Sequence, residues 1–261
     1  MSLSPDHIHT WPRGDVLLHA MPGISSTNET YFNCTLIVPR DLSSCSAASS
    51  RFAERGLRPL TLTMLNDVAR REGKWRDGKE EVRHLFAKYF PEVYCHGGNA
   101  IYDSAVNSVS GYLKIGQCSR LHSSTSPIVL VGDAAHPVLP YIGQGLVSTL
   151  EDCNVLVDLF QEGSNAKMAI SSDICHRFTL ERKKDIDAMQ CLSIEQHNIL
   201  FEQSASMALQ LRFAYQRYMS RVMPHRYPSS LYTLLADPSF SYSEILDLKR
   251  KQNHPFKIGR L

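Results

Sequence analysis

Asp133, His136 and the triplet Gly143-Gln144-Gly145 are the residues of this 261-residue chain whose types and spacing could do chemistry. Asp133 follows a short β-branched apolar run, Ile128 to Val131, and one glycine, Gly132. A carboxylate at a strand tip can accept hydrogen bonds from hydroxyls of a ligand lying across the strand ends. A lone Gly-Asp pair is equally the composition of a turn or an N-cap, so both readings stand at this point. Pro137 and Pro140 stiffen the loop that follows and withdraw backbone donors. Gly143 and Gly145 let main chain approach a flat ligand without a side chain in the way. His136 beside Asp133 raises acyl hydrolysis, but no nucleophile elbow of the G-x-S-x-G kind accompanies it. That reading is set aside, and His136 is taken as a structural loop histidine.

A strand, a loop and a helix must hold these groups. The helix is expected from about Leu146 to Phe160. Leu146, Leu150, Cys153, Val157 and Phe160 would form its apolar face, with Ser148, Glu151, Asp152 and Asp158 turned outward. Its unpaired N–H groups and dipole would then face the end of the glycine loop. Such an end stabilises negative charge by ~0.3–1 kcal/mol when exposed and up to ~2 kcal/mol when partly buried.

The remaining chain reads as walls around that point. Val16 to Met21 and Tyr31 to Val38 predict a β-hairpin, with a polar loop from Pro22 to Thr30 and with Phe32, Cys34, Leu36 and Val38 on one face. Trp11-Pro12-Arg13 precedes the first strand. His7 and His9 alternate near a terminus without a third ligand, so no metal is expected there. Residues 41–78 read as an inserted surface excursion. Glu80 to Phe90 predicts an amphipathic helix ended by Pro91, and Tyr112-Leu113-Lys114-Ile115 a short strand. One long helical pattern runs from Ser172 to Met219 with a break near Gln203 to Ala208, placing Glu181 to Asp185 on solvent faces. Leu231 to Leu235 starts another short element, and the last dozen residues read as a fraying tail.

Composition narrows the function classes. Apolar residues make up 43% and charged residues 21%, the values of an ordinary globular protein. The 28 basic and 26 acidic residues are interspersed, so no nucleic-acid footprint exists. Seven cysteines lie far apart with no CxxC, which fits reduced thiols in an intracellular compartment. No apolar run approaches the ~18 residues of a membrane span.

Taken together, Gly132-Asp133-Ala134-Ala135-His136-Pro137, then Pro140, Gly143-Gln144-Gly145 and Glu151-Asp152, resembles the second flavin motif of the class A FAD-dependent aromatic hydroxylases. Within that group the chain looks most like the kynurenine 3-monooxygenases, through His9 to Arg13, Cys34-Thr35-Leu36 with Pro39, Lys88 to Pro91, Met223-Pro224 and Leu231-Tyr232-Thr233. The resemblance covers most of residues 7 to 250. It implies FAD as cofactor, NADPH as reductant, and transfer of one oxygen atom to a small aromatic substrate, L-kynurenine first among them. No side-chain nucleophile is needed, because the cofactor carries the chemistry.

The same resemblance implies site residues. Asp133 would serve the ribityl or pyrophosphate side of FAD, and Pro140, Gly143, Gln144 and Gly145 would shape the loop around it. Leu146 and Val147 would offer backbone N–H groups to the ring, a main-chain role only, since the family often has Met-Asn there. Tyr141, Gln196 and Tyr232 would bind substrate, with Gln196 standing where the family has asparagine. Leu17, His19 and Thr35 would line the aromatic pocket.

The expected fold is α+β, a partial FAD/NAD(P)-binding aromatic-hydroxylase fold. Residues 1–126 form an antiparallel substrate-domain sheet with the 41–78 insertion, 127–163 the second half of the FAD site, and 164–261 a helical region. The family needs a GxGxxG that this chain lacks, so the chain is expected to be the C-terminal part of an enzyme, and its expected partner is the missing N-terminal segment or a second copy in a homodimer. The resemblance places it in the mitochondrion, at the cytosolic face of the outer membrane, and otherwise in the cytoplasm. A related hydroxylase acting on another aromatic, and a non-catalytic remnant of the fold, are the alternatives.

Overall fold

In the computed structural model the described residues are 3–13, 16–39, 86–95, 111–162, 171–201, 207–224, 227 and 230–253. The 41–78 excursion, and the part of the Glu80–Phe90 helix before Phe86, lie outside them. The architecture is mixed, with a small antiparallel sheet and several helices. It divides into two units, Met1–Gly111 with Asn198–Met207, and Tyr112–His197 with Ala208–Leu261.

In the first unit three strands pair in the order β1 (His9–Arg13), β2 (Val16–Ile24), β3 (Thr30–Ile37). The sheet thus gains a strand over the expected hairpin, because Trp11-Pro12-Arg13 pairs with Leu18, Leu17 and Val16. Pro12 is tolerated since β1 is an edge strand, and Pro22 because β1 pairs with β2 only as far as Ala20. β2 runs to Ile24, so the polar loop shrinks to Ser25–Glu29, where Asn28 takes φ 64°. Asparagine accepts that left-handed conformation more readily than most residues. Val16, Leu17, Leu18 and Ala20 are buried. Residues 86–89 are helical, Phe90 is not, and 91–95 are helical again. Pro91 therefore opens a second helical turn, as its fixed φ and missing donor suit it to do, rather than simply ending the first. Arg13 ties β1 to this segment, donating from Nε to the Tyr89 carbonyl (3.1 Å) and from Nη2 to both Glu92 carboxylate oxygens (3.0 and 3.2 Å).

The second unit is built along residues 172–197 of one long helix. α1 is Gly145–Glu162, α2 Ser172–Phe201, α3 Met207–Val222, α4 Leu231–Leu235 and α5 Tyr242–Asn253. The expected break between two long helices is present, and the expected tail is helical through Asn253. One core cluster joins Leu121, Ala135, Leu159, Phe178 and Ile186, with Val129, Val131, Val155 and Leu156 against it. A second joins Ile142, Ala188, Met189, Leu192, Leu234, Tyr242, Ile245 and Leu246. α2 contributes to both. Tyr112 to Ile115 forms no strand, and Ile128 to Val131 has only an isolated bridge, His122 to Val129, in place of the expected strand. Val129 and Val131 pack into the first cluster, while Ile128 and Leu130 on the other face are exposed.

α1 lies the other way round from its apolar pattern. Ser148, Asp152 and Leu159 are buried, whereas Leu146, Leu150, Cys153 and Val157 face outward. Both sets recur at helical spacing, so either could have been the inner face. The partner of Asp152 decides it: Arg182, expected on a solvent face of α2, is buried and paired with that carboxylate.

Candidate functional site

Gly132 takes φ 57°, and a Cβ there would stand 3.0 Å from Thr149 Cγ2 and Oγ1. Backbone sign and available space both require glycine, so the chain turns sharply into the 3₁₀ turn Gly132–Ala134. The turn exposes the Asp133 side chain, whose carboxylate accepts no hydrogen bond among the described residues. Asp133 is therefore neither an N-cap nor a closed turn aspartate. Gly143, at φ 67°, ends the 3₁₀ turn Pro140–Ile142, and a Cβ on it would meet nothing within 4 Å. Its left-handed backbone and open surroundings leave main chain bare there. The first N–H groups of α1 have no intrahelical partners by construction. The residues that carry them, Leu146 and Val147, are 73% and 44% exposed.

What holds this loop is a series of side chains from the helices behind it. Asp152 Oδ2 accepts from the Gly132 N–H (3.0 Å) and from His136 Nε2 (2.6 Å). Asp152 Oδ1 accepts from Arg182 Nε (2.8 Å). Arg182 Nη2 donates to Ser148 Oγ (3.0 Å) and the Ser148 carbonyl (3.2 Å), and lies 3.1 Å from Glu151 Oε2. Burial raises the Asp152 carboxyl pKa, but the hydrogen bonds from His136, Gly132 and Arg182 and the guanidinium charge prevail, and it ends below the usual carboxylate value. Further along, Ser193 Oγ donates to the Leu139 carbonyl (3.0 Å), and the Tyr242 hydroxyl to Gln144 Oε1 (3.1 Å). Burial, with the Glu151 charge beside it, raises the Tyr242 phenol. Each anchor comes from 16 or more residues away, which is why local reading kept Asp152 in the motif but turned it outward, and missed Arg182, Ser193 and Tyr242.

Three residues expected to bind substrate come together. The Tyr232 hydroxyl donates to the Tyr141 carbonyl (2.9 Å) and engages the Gln196 side chain. Tyr141 packs its ring against His197, with centroids 5.4 Å apart, and burial pushes its phenol up to about 12. Pro140, Gly143, Gln144, Gly145, Leu146 and Val147 lie along the 3₁₀ turn, the loop and the start of α1. In the first unit, Leu17 is fully buried in the sheet, so its side chain lines no open surface there. His19 hydrogen-bonds Thr10 Oγ1 (3.0 Å), and burial lowers its pKa. His9 stacks on Trp11, with ring centroids 5.8 Å apart, and its Nε2 lies 2.9 Å from the Ser4 carbonyl oxygen.

The arrangement offers an unengaged carboxylate, bare main chain at Gly143 and an accessible helix N-terminus within one braced loop. It can receive hydroxyls at one point and a polarised, anionic ring edge at the other. Comparison with known proteins bears on which molecule that is. A family model described as squalene epoxidase matches residues 84–235. The chain is similar to kynurenine 3-monooxygenase from Dictyostelium discoideum, 24% identical over 99% of this chain and 53% of that protein. It is also similar to those of Emericella nidulans, 26% identical over 96% of this chain and 45% of that protein, and Flavobacterium psychrophilum, 26% identical over 94% and 46%. The chain thus spans about half the length of these curated relatives.

Proposed function

Because the chain belongs to the squalene epoxidase family of FAD-dependent monooxygenases, we propose that its Gly132–Val147 loop forms one part of an FAD site serving aromatic hydroxylation. The favoured substrate is L-kynurenine, and NADPH is the favoured reductant. One observation carries the reading: the exposed Asp133 carboxylate sits on an obligatory-glycine turn in the same braced loop as the open start of α1. FAD fits those groups. Asp133 would accept from its hydroxylated chain, and the Gly145 to Val147 amides would face its ring. Bound there, FAD supplies the oxygen-transfer chemistry. The protein orients the ring with main-chain donors and places Tyr141, Gln196 and Tyr232 together for the substrate.

Titrating the purified chain with FAD and following quenching of flavin fluorescence tests the cofactor assignment. Saturable quenching in the wild type that weakens at least ~10-fold in Asp133→Ala is the expected result, the range for losing an acceptor of charge-assisted hydrogen bonds. Quenching that Asp133→Ala leaves unchanged sinks the assignment of Asp133.

A second reading has its own support. The single proton of the Tyr232 hydroxyl is donated inside the protein, to the Tyr141 carbonyl. Tyr232 then has no donor for a substrate carboxylate, which favours an aromatic other than kynurenine. Substrate-stimulated NADPH oxidation, measured across a panel of amino-substituted and hydroxylated aromatics in a polypeptide that also carries the rest of the relatives' length, separates the two. Stimulation by kynurenine alone supports the first reading; stimulation only by others replaces the substrate and retains the reaction.

A further inference from the structure

Four segments meet at one buried carboxylate. Asp152 on α1 holds the Gly132 N–H, the His136 ring and the Arg182 guanidinium, and both Asp152 and His136 are fully buried. A carboxylate only accepts, so His136 Nε2 carries its proton toward Asp152. Arg182 in turn spreads its fork over Asp152, Ser148 and Glu151. Its side chain is 7% exposed. A buried ion pair of this kind is weak evidence for stability, since well-packed apolar residues of similar volume often serve as well or better. The cost of burying it calls for another use. What this pair does that apolar residues cannot is present an oriented acceptor to the Gly132 N–H. That donor belongs to a residue at φ 57°, immediately before the exposed Asp133.

We propose that Arg182, which stands on α2 well outside the Gly132–Val147 loop, is a positioning residue for the Gly132–Asp133 turn. It acts through Asp152. The guanidinium fixes the rotamer and ionisation of Asp152 by engaging Oδ1, so that Oδ2 points at Gly132 and His136. Gly132 in turn sets where the Asp133 carboxylate stands. Resting on the FAD reading above, the inference is that Arg182 governs flavin affinity without touching flavin. His136 is the second brace on the same oxygen, so its place in the motif follows from Asp152 rather than from a reaction.

The test uses the full chain and two readouts. The first is the hydrogen-exchange protection of the Gly132 amide, with the Leu192 amide on the same helix as Arg182 as internal reference. The second is the Kd for FAD, read at a temperature where every variant is folded. Arg182→Met is expected to lower Gly132 protection roughly 10- to 100-fold, the range for losing a hydrogen bond to a charged group, while Leu192 changes far less. FAD Kd rises in step. Arg182→Lys keeps the charge but not the fork, and restores part of both. Lys184→Gln, an exposed neighbour, moves neither. If Arg182→Met does not fold, Asp152→Asn, isosteric and uncharged, carries the test with the same two readouts. Unchanged Gly132 protection in a folded Arg182→Met or Asp152→Asn chain overturns the proposal. Loosened Gly132 with unaltered FAD Kd overturns its flavin part. A wild type that binds no FAD counts against the functional reading alone, and the Gly132 readout still decides whether Arg182 positions the turn.

Discussion

Asp152 is the residue on which the bracing of the Gly132 turn converges, and local pattern placed it in the motif but on the wrong face of its helix. In sequence it is one acidic residue in a helix, next to Glu151. In the fold it is fully buried with three donors on it. Its folded-state pKa lies below its unfolded value, so the stability it contributes is present above the unfolded pKa and is lost as pH falls through the folded one. Urea midpoints measured from pH 7 down to pH 2 should therefore decline below about pH 4 in the wild type and more gently in Asp152→Asn. Parallel curves would remove the pair from the acid limb. Gly132 makes the companion case. Gly132→Ala forces a left-handed alanine and a 3.0 Å approach to Thr149. The backbone term alone costs about 1–2 kcal/mol, and a calorimetric melting temperature should show it. Gly143→Ala carries the same backbone strain without a contact, and is expected to be the milder of the two.

At the scale of elements, α1 shows how far an apolar pattern can mislead. Leu146, Leu150, Cys153 and Val157 recur as a buried stripe should, yet all are exposed in this chain. Ser148, Asp152, Val155, Leu156 and Leu159 make the inner face, because the buried guanidinium of Arg182 needs the acceptors that face supplies. The measurable consequence is a contrast. Leu150→Ser should shift chemical-denaturation stability by no more than about 0.5 kcal/mol, the usual size for a surface change. Leu159→Ala, in a fully enclosed site, should cost about 2–5 kcal/mol. Equal losses at the two positions would mean that the outward stripe is covered after all. The sheet of the first unit tells the opposite story. There both hairpin strands were legible, though Cys34 of the expected inner face is exposed, and what went unread was a strand containing Pro12, a residue that usually argues against strand and is accommodated only at an edge.

The molecule as a whole divides into two units, and the candidate site lies within the second. Among its described residues that unit has two apolar clusters, and α2 supplies Phe178 and Ile186 to one, Ala188, Met189 and Leu192 to the other. A continuous helix makes the two clusters hard to unfold separately. Phe178→Ala and Leu192→Ala, each expected to cost about 2–5 kcal/mol, should thus lower the midpoint of one shared transition. Two resolved transitions, each sensitive to one substitution, would show that the clusters are independent. Free thiols at Cys34, Cys95, Cys118, Cys153, Cys175 and Cys191 mean that noncovalent packing alone holds the described parts. Among the described residues no helix is long and apolar enough to cross a membrane.

The sequence by itself determined the local features. The glycine turn, the proline-stiffened loop, the helix that follows and the long helical region were legible, because steric limits on Gly and Pro and helical periodicity act over a few residues. The order of motif residues also carried the flavin-hydroxylase resemblance. Tertiary structure alone decided which face of α1 is inside, that Arg182 is buried, and that Tyr232 spends its proton on the Tyr141 carbonyl. Those outcomes depend on pairs 30 and 91 residues apart in the chain. A buried charge goes where its partner is, and no local pattern records where that partner will arrive.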